Sequence, residues 1–254
     1  MKPKFTLSKS IVLNKYKELQ PLADYISYSS KTNPLVSNIL EANTKSLFSI
    51  HLINELINIK DKSRVLFLAQ AWNNETINSL INQGITWFAV DNEFDLNTII
   101  EYLENNTLPN KISLLLRLKL RENTLRTEKF FVFGMKANTL ITKIREIASS
   151  PIYYEKLENL GIHFHRKTQN MAEWNYQYEI SNLIPKDILT YINIINMGGG
   201  LPSNYANTNV NVINSIKNKI KEFKNYLSQY DIRLMLEPGR YIAAPAGKLH
   251  TTIT

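Results

Sequence analysis

Short apolar runs alternate along the chain with polar stretches in which apolar residues recur at helical spacing. Eight runs predict strands: residues 25–28, 46–50, 64–68, 86–90, 112–116, 161–165, 191–195 and 234–236. They are apolar almost throughout rather than at every second position, which is typical of strands covered on both faces. Helical patterns lie between them, for example at 73–81, 95–103 and 210–226. Eight strand–helix repeats in 254 residues predict an α/β fold, a (β/α)8 TIM barrel in one domain over residues 1–254.

The composition excludes several classes of protein and site. The chain has no cysteine, so it offers no disulfide, thiolate metal site or thiol nucleophile, and we expect no bound metal. Residues 1–20 lack the continuous apolar core of a signal peptide, and no apolar run reaches the ~18–20 residues of a membrane span. We therefore expect a cytoplasmic protein without a membrane partner.

The formal net charge of +8 raises the question of nucleic-acid binding. The lysines are scattered, however, and the densest run, 217–224, alternates with Ile216, Ile220 and Phe223 at helical spacing. A solvated face of an amphipathic helix explains this pattern. We expect no nucleic-acid partner, and an acidic protein partner is the alternative use of the charge.

Chemically useful residues follow four of the predicted strands. Lys31 follows the first, His165 ends the sixth, Gly198-Gly199-Gly200 follow the seventh, and Glu237 and Arg240 follow the eighth. In a TIM barrel the carboxyl ends of the strands form one rim, where function resides. Taken singly, such a lysine is usually a surface charge and such a glycine triplet is often only a tight turn.

Taken together, these residues fit a phosphorylated cofactor. Consecutive glycines let backbone N–H groups approach an anion, and Arg240 beside Gly239 adds a bidentate donor. Barrels frequently hold phosphate after their last two strands. If the phosphate belongs to pyridoxal 5'-phosphate, the ring also needs an amine, a flat side chain and a partner for its nitrogen. Lys31, His165 and Glu237 can supply these three.

Four segments resemble motifs of one family, the ornithine, diaminopimelate and arginine decarboxylases with an alanine-racemase-like barrel. They are YSSKTNP at 28–34, GIHFHRKTQ at 161–169, INMGGGLP at 195–202 and LEPGRYIAAPAG at 236–247. The resemblance spans about residues 20–250, and residues 89–93 and 115–117 resemble weaker signatures of the same family. It implies pyridoxal 5'-phosphate as cofactor and an amino acid as substrate.

The resemblance also implies roles for single residues. Lys31 would form the Schiff base, His165 would stack on the ring and Glu237 would pair with the pyridine nitrogen, which makes these three the catalytic candidates. The remaining cofactor-binding candidates are Arg117, Thr168, Gly198, Gly199, Gly200, Gly239 and Arg240.

The chain also departs from the family pattern. Arg166-Lys167-Thr168 stands where the family commonly has a small Gly-Ser pair, and the acidic residue usual near the second strand is not evident at 46–50. Family members continue into a β domain that supplies a catalytic cysteine, an aspartate and a tyrosine across a dimer, whereas this sequence ends at Thr254.

We therefore expect the barrel of a decarboxylase acting on ornithine, lysine, arginine or diaminopimelate, in polyamine or lysine biosynthesis. We expect it to be incomplete unless a β-domain polypeptide or a homodimer partner completes the site. Three alternatives are an inactive truncated product, a pyridoxal-phosphate carrier without decarboxylase activity, and a basic binding protein without cofactor. Related carriers typically place an arginine toward the pyridine nitrogen, so Glu237 counts against the carrier.

Overall fold

Eight parallel strands form a closed barrel in the computed structural model, which describes residues 3–120, 133–166, 170–203 and 212–251. The strands, in chain order, are β1 (Lys4–Leu7), β2 (Tyr25–Ser29), β3 (Leu47–Ile50), β4 (Val65–Leu68), β5 (Trp87–Val90), β6 (Ile112–Arg117), β7 (Leu157–His163), β8 (Ile194–Asn196), β9 (Arg233–Leu236) and β10 (Gly247–His250). Strands β2 to β9 pair in sequence order, and β2 pairs with β9 to close the barrel. The predicted TIM barrel is confirmed.

Helices surround the barrel and connect its strands. They are α1 (Lys9–Leu19), α2 (Pro34–Asn43), α3 (Asn74–Asn82), α4 (Glu93–Asn105), α5 (Ala137–Ala148), α6 (Pro151–Lys156), α7 (Tyr176–Leu183), α8 (Lys186–Leu189), α9 (Ile213–Ser228) and α10 (Arg240–Ala243). Within the described segments, no helix is both long and apolar enough to cross a membrane. The expected cytoplasmic location stays a prediction.

All eight predicted strand runs overlap a barrel strand, and six of them differ from it by a single residue at one end, whereas the runs 161–165 and 191–195 differ by more. Strand β7 begins at Leu157 and ends at His163, so His165 lies two residues beyond the strand rather than at its end. Strand β8 begins only at Ile194, because Tyr191 belongs to the turn after α8, where its N–H donates to the Ile188 carbonyl at 3.1 Å.

The lysine-rich segment forms the amphipathic helix that its pattern predicted. Ile216, Ile220 and Phe223 of α9 are buried against the barrel. Two of its lysines pair with acidic residues elsewhere, Lys217 with Glu18 at 3.1 Å and Lys224 with Asp24 at 2.7 Å. The positive face is therefore a partly neutralised surface of a packed helix.

Strands β1 and β10 were missed by the sequence analysis. They pair antiparallel outside the barrel, with Lys4 opposite His250 and Leu7 opposite Gly247. Seven of the eight residues are exposed and Leu7 is half-buried, while Phe5 and Leu249 expose 82% and 55% of their surface. The ribbon has no fully buried residue, so no alternation of apolar and polar residues marks it in the sequence.

The barrel lumen is filled in layers along its axis. Leu115 on β6, Ile194 on β8 and Met235 on β9 belong to an apolar cluster separate from the main core. Residues two positions apart on a strand face the same side. Two residues before these, at the amino ends, Ser113 and Arg233 bond to Asn159, at 2.7 Å for the serine. The lumen is therefore a packed core with a polar floor.

Gly161 on β7 is the smallest member of the apolar layer, and its size is required. A methyl group at this position would collide with the backbone and side chain of Ile194 and with Leu115. We predict that Gly161→Ala lowers the free energy of unfolding by about 1–3 kcal/mol, because the layer has no space for the methyl group. Urea denaturation measures this change.

Gly247→Ala is the matched control, because a methyl group there would meet only the Ala243 carbonyl at 3.9 Å. We expect it to change stability by no more than about 0.5 kcal/mol. Equal destabilisation by the two substitutions would contradict the layered packing.

Candidate functional site

The carboxyl end of the lumen is polar. Two residues beyond the apolar layer, β6 to β9 present Arg117, His163, Asn196 and, directly after β9, Glu237. Arg117 is opposite His163 in the strand register, and His163 is opposite Asn196. The alternation that buries the apolar layer therefore also directs these four side chains into the barrel mouth.

The local sequence folds the segment 28–34 into a rigid turn that carries Lys31. The Asn33 side chain accepts a hydrogen bond from the Leu35 N–H at 3.0 Å and caps α2, whose first residue is Pro34. The Tyr28 hydroxyl donates to the Asn33 carbonyl at 3.2 Å. These contacts fix the backbone, while the Lys31 side chain is exposed at the mouth.

His51, one residue beyond β3, is the direct neighbour of the lysine amine. Its Nε2 lies 3.2 Å from the Lys31 Nζ. Burial is the main cause that lowers the pKa of His51, with Lys31, Arg117 and His165 adding repulsion, and the pKa falls to about 3. A neutral imidazole accepts a hydrogen bond from the ammonium group, so His51 orients Lys31. The sequence analysis did not select this residue.

His165 stands at the mouth against the glycine loop. Its Nδ1 accepts a hydrogen bond from the Gly199 N–H at 3.1 Å. Part of the His165 side chain is exposed to solvent. Desolvation of its buried part is the main cause that lowers the pKa of His165, and the positive charges of Arg117 and Lys31 lower it further. Gly198 has φ +67°, a conformation that favours glycine, and a side chain there would press on His165.

Glu237 is buried at the mouth, with 6% of its surface exposed. Its Oε1 accepts a hydrogen bond from Asn196 Nδ2 at 2.6 Å. Burial is the largest influence and raises the pKa of Glu237. The hydrogen bond from Asn196, the charge of Arg117, a hydrogen bond from the Ser49 hydroxyl and the charge of Lys31 act in the opposite direction. Glu237 therefore combines a buried position with several groups that favour its ionised form.

Arg117 lies across the mouth from Glu237. Its Nη1 is 3.9 Å from Asp91 Oδ2, and its guanidinium carbon is 5.4 Å from the centre of the Phe133 ring. Desolvation lowers the pKa of Arg117, and the charges of Asp91 and Glu237 raise it. The guanidinium remains a cation because its ordinary pKa is far above neutrality.

The turns after β8 and β9 pack against the elements that carry the other candidates. A methyl group on Gly199 would lie 2.7 Å from the Glu237 carbonyl oxygen, and one on Gly239 would collide with the Thr32 side chain. Gly239 thus joins the turn of Arg240 to the turn of Lys31. Arg240 begins α10 and is exposed at this rim.

The structure brings most of the predicted site residues to one rim. Lys31, Arg117, His165, Glu237, the glycine triplet 198–200, Gly239 and Arg240 all follow or end barrel strands at the carboxyl end. Their assigned roles stay predictions. Thr168 lies outside the described residues, as does Lys167, so the hydroxyl contact to phosphate stays a prediction.

Arg166 explains one departure from the family pattern. This residue follows His165 directly, yet its side chain is buried and forms ion pairs with Glu173 and Glu179. It also lies 5.8 Å from the centre of the Tyr176 ring. The bulky residue is accommodated on the side of α7 rather than in the barrel mouth.

Several residues at the mouth were missed by the sequence analysis. They are Ser49, His51, His163 and Asn196. Ser49, His163 and Asn196 stand two residues beyond an inward residue of their strands, which is a signal that the alternation contains. His51 follows β3 directly, but nothing in the sequence indicates that it lies next to Lys31.

The barrel mouth contains buried polar atoms that form no hydrogen bond with the described residues. Buried polar atoms without a hydrogen-bond partner among the described residues include His51 Nδ1, Arg117 Nε and both ring nitrogens of His163. Such unpaired atoms are rare in folded proteins and indicate a ligand or water position. A phosphorylated aromatic aldehyde fits this donor set, with an amine and a carboxylate at the same rim. Across the described ranges, no cluster of three or more histidine or acidic side chains could hold a metal ion.

A family model supports this interpretation directly. Residues 50–244 match the model described as pyridoxal-dependent decarboxylase, pyridoxal binding domain, which covers more than three quarters of the chain. No curated protein sequence is similar enough to this chain to count as a match.

Several solved decarboxylase structures have the same fold. Lysine/ornithine decarboxylase from Vibrio vulnificus, complexed with cadaverine, superposes with a TM-score of 0.75 at 20% identity, over 96% of this chain and 65% of that chain. Diaminopimelate decarboxylase from M. jannaschi gives 0.75 at 19% identity, over 98% and 64%. Diaminopimelate decarboxylase from Helicobacter pylori, complexed with L-lysine, gives 0.77 at 19% identity, over 98% and 66%.

These likenesses are distant in sequence and show the fold. The chain spans just under two thirds of the length of these structures. The family is shown by the model match, which covers the barrel from β3 to the turn after β9. The chain belongs to the pyridoxal-dependent decarboxylase family and forms its pyridoxal-binding barrel domain.

Proposed function

We propose that this barrel binds pyridoxal 5'-phosphate covalently through Lys31 and serves as the cofactor-binding part of an amino acid decarboxylase. The observation that carries the proposal is the position of an amine and a buried carboxylate at one mouth. Lys31 follows β2 and Glu237 follows β9, and these two strands pair directly, with Ile26 opposite Leu236. Bound pyridoxal phosphate supplies an electron sink for the pair of electrons left when carbon dioxide departs.

Lys31 supplies the amine that attacks the cofactor aldehyde. Attack requires that the amine lose its proton and point toward the mouth. His51 holds the side chain by accepting its hydrogen bond at 3.2 Å, and the low pKa of His51 keeps the imidazole free to accept. A buried hydrogen bond of 2.9 Å between the hydroxyls of Ser30 and Ser37 connects the turn Ser30–Thr32 to α2.

Glu237 pairs with the ring nitrogen in this proposal. A carboxylate beside the pyridine nitrogen stabilises the proton on that nitrogen and so strengthens the ring as an electron acceptor. The hydrogen bond from Asn196 and the nearby cations support the ionised form. This is also the reason that we favour a decarboxylase over a cofactor carrier.

The remaining rim residues hold the ring face and the phosphate. The His165 imidazole is fixed by the Gly199 N–H, which orients one of its edges and leaves its ring face available. The glycine triplet and the Gly239-Arg240 turn lie on neighbouring loops after β8 and β9. Backbone N–H groups and a guanidinium converging from two loops suit a phosphate dianion.

The substrate class is proposed from the solved relatives. Two of them are complexes with cadaverine and L-lysine, which are products of lysine and diaminopimelate decarboxylation. We propose an amino acid with a long or basic side chain, such as ornithine, lysine, arginine or diaminopimelate. We further propose that a second polypeptide, either a β-domain chain or a second copy, contributes groups to the site.

The first test is spectroscopic. The purified chain mixed with pyridoxal phosphate should gain the visible absorption band of a cofactor bound to lysine, and Lys31→Ala should abolish the band, because the substitution removes the amine that forms the bond. Lys219→Ala on the exposed face of α9 is the control and should leave the band unchanged. A full band in Lys31→Ala would contradict the proposed role of Lys31.

The second test concerns activity. Carbon dioxide release is assayed with ornithine, lysine, arginine and diaminopimelate, for the chain alone and with a co-expressed β-domain polypeptide. We expect release from at least one amino acid, with Glu237→Gln reducing turnover on the order of 10²-fold, because the substitution removes charge from the site of electron delocalisation. Absence of release under every combination would reject the decarboxylase and leave only cofactor binding.

The third test concerns acid sensitivity of the cofactor-free protein. The folded pKa of His51, about 3, lies below the ordinary 6.5, so its neutral form contributes stability above pH 6.5. That contribution is lost as the pH falls from about 6.5 toward 3, because the unfolded chain takes up the proton first. His51→Gln should therefore show a shallower loss of stability over this range in urea titrations. Identical pH slopes would contradict the buried, neutral state of His51.

A further inference from the structure

His163 is a buried imidazole with no assigned role. It ends β7 inside the barrel mouth and exposes only 1% of its surface. Neither ring nitrogen has a hydrogen-bond partner among the described residues. An apolar side chain would fill this position without leaving polar atoms unpaired, so the imidazole must have a partner that favours it.

The nearest acceptor is the carboxylate of Glu237. His163 Nε2 lies 3.5 Å from Glu237 Oε1, which is a contact but longer than a formed hydrogen bond to a carboxylate. Asn196 Nδ2 donates to the same oxygen at 2.6 Å. Side chains from β7 and β8 thus converge on one oxygen of the carboxylate that follows β9, and neither engages Oε2.

The proton state of His163 suits a donor. Burial, followed by the charges of Arg117, His165 and His51, lowers the pKa of His163 well below its ordinary value. The imidazole is therefore neutral at physiological pH and carries one N–H. A neutral donor beside Glu237 adds no repulsion to the nearby Arg117.

Glu237 needs such a donor. Its burial raises its pKa and favours the protonated acid, which could not hold a proton on a pyridine nitrogen. The hydrogen bonds from Asn196 and Ser49 and the charges of Arg117 and Lys31 act against this effect. A further donor on Oε1 would add to them and would restrict the rotation of the carboxylate.

We propose that His163 is a positioning residue that donates its Nε2–H to Glu237 and thereby keeps the carboxylate ionised and directed at the ring nitrogen of the bound cofactor. This inference rests on the proposed binding of pyridoxal phosphate with Glu237 at the ring nitrogen. Strand β7 then influences the protonation of the cofactor ring nitrogen through His163, and it also leads into the segment that carries His165.

The test observes the ring nitrogen itself. The full chain is loaded with pyridoxal phosphate labelled with nitrogen-15 in the ring, and the nitrogen resonance is recorded at neutral pH. Wild type should give the resonance of a protonated ring nitrogen, and Glu237→Gln should give that of an unprotonated one. His163→Leu should shift the resonance toward the Glu237→Gln position, while His163→Gln, whose amide reaches the place of Nε2, should stay near wild type.

Asn159→Leu is the matched structural control. Asn159 is buried on the same strand, four residues before His163, and bonds to Ser113 at the barrel floor. It should destabilise the protein without moving the resonance. If His163→Leu fails to fold, His163→Asn, whose amide is too short to reach Glu237, takes its place and should shift the resonance where His163→Gln does not.

The outcomes separate the inference from the proposed function. A wild-type resonance in His163→Leu, or an equal shift in His163→Leu and Asn159→Leu, would overturn the role of His163 and leave the cofactor site intact. Failure of the wild-type chain to retain the labelled cofactor would overturn both.

Discussion

The pairing of β2 with β9 is the constraint on which the rest of the structure depends. Only two pairs define its register, Tyr25 with Met235 and Ile26 with Leu236, yet they join the two ends of an eight-stranded sheet. Without this closure, Lys31 and Glu237 would stand at opposite edges of an open sheet. Closure places them on adjacent strand ends, although more than 200 residues of sequence separate them.

The second constraint is energetic. Ionisable groups inside a barrel lose hydration, and their charged forms are disfavoured unless neighbours compensate. At the mouth, burial lowers the pKa values of His51, His163 and His165 and so favours their neutral forms. Glu237 and Arg117, in contrast, have groups of opposite charge or hydrogen-bond donors close to them. A site that holds a buried carboxylate and several neutral imidazoles is a suitable environment for a cationic pyridine ring. An apolar layer lies beneath it in the barrel.

Sequence patterns predicted the barrel well because its strands are buried on both faces and its helices on one. Continuous apolar runs mark such strands, and the amphipathic helix around Phe223 is marked by its spacing. The rim residues followed from the rule that function lies at the carboxyl ends of the strands. The exposed ribbon of β1 and β10 could not be predicted in this way, since the pairing of Lys4 with His250 buries no side chain and leaves no periodic signal.

The parts of the site that were missed are contacts between strands. The proximity of His51 to Lys31 and of His163 to Glu237 depends on register and on side-chain direction, which a scan along the chain does not contain. The alternation of side chains along β7 would have identified His163 as inward-facing, but it would not have identified Glu237 as its neighbour. The ion pairs of Arg166 could not be predicted either, because they depend on how the segment before α7, with Glu173, and α7 itself, with Glu179, pack against it.

The most direct test of the central claim is to locate the covalent attachment of the cofactor. The chain is incubated with pyridoxal phosphate, the bond to lysine is made permanent with borohydride, and the labelled peptide is identified by mass spectrometry. We expect one label per chain, on the peptide that contains Lys31. Labels distributed over surface lysines, or concentrated on another residue beyond a barrel strand such as Lys119, would contradict it.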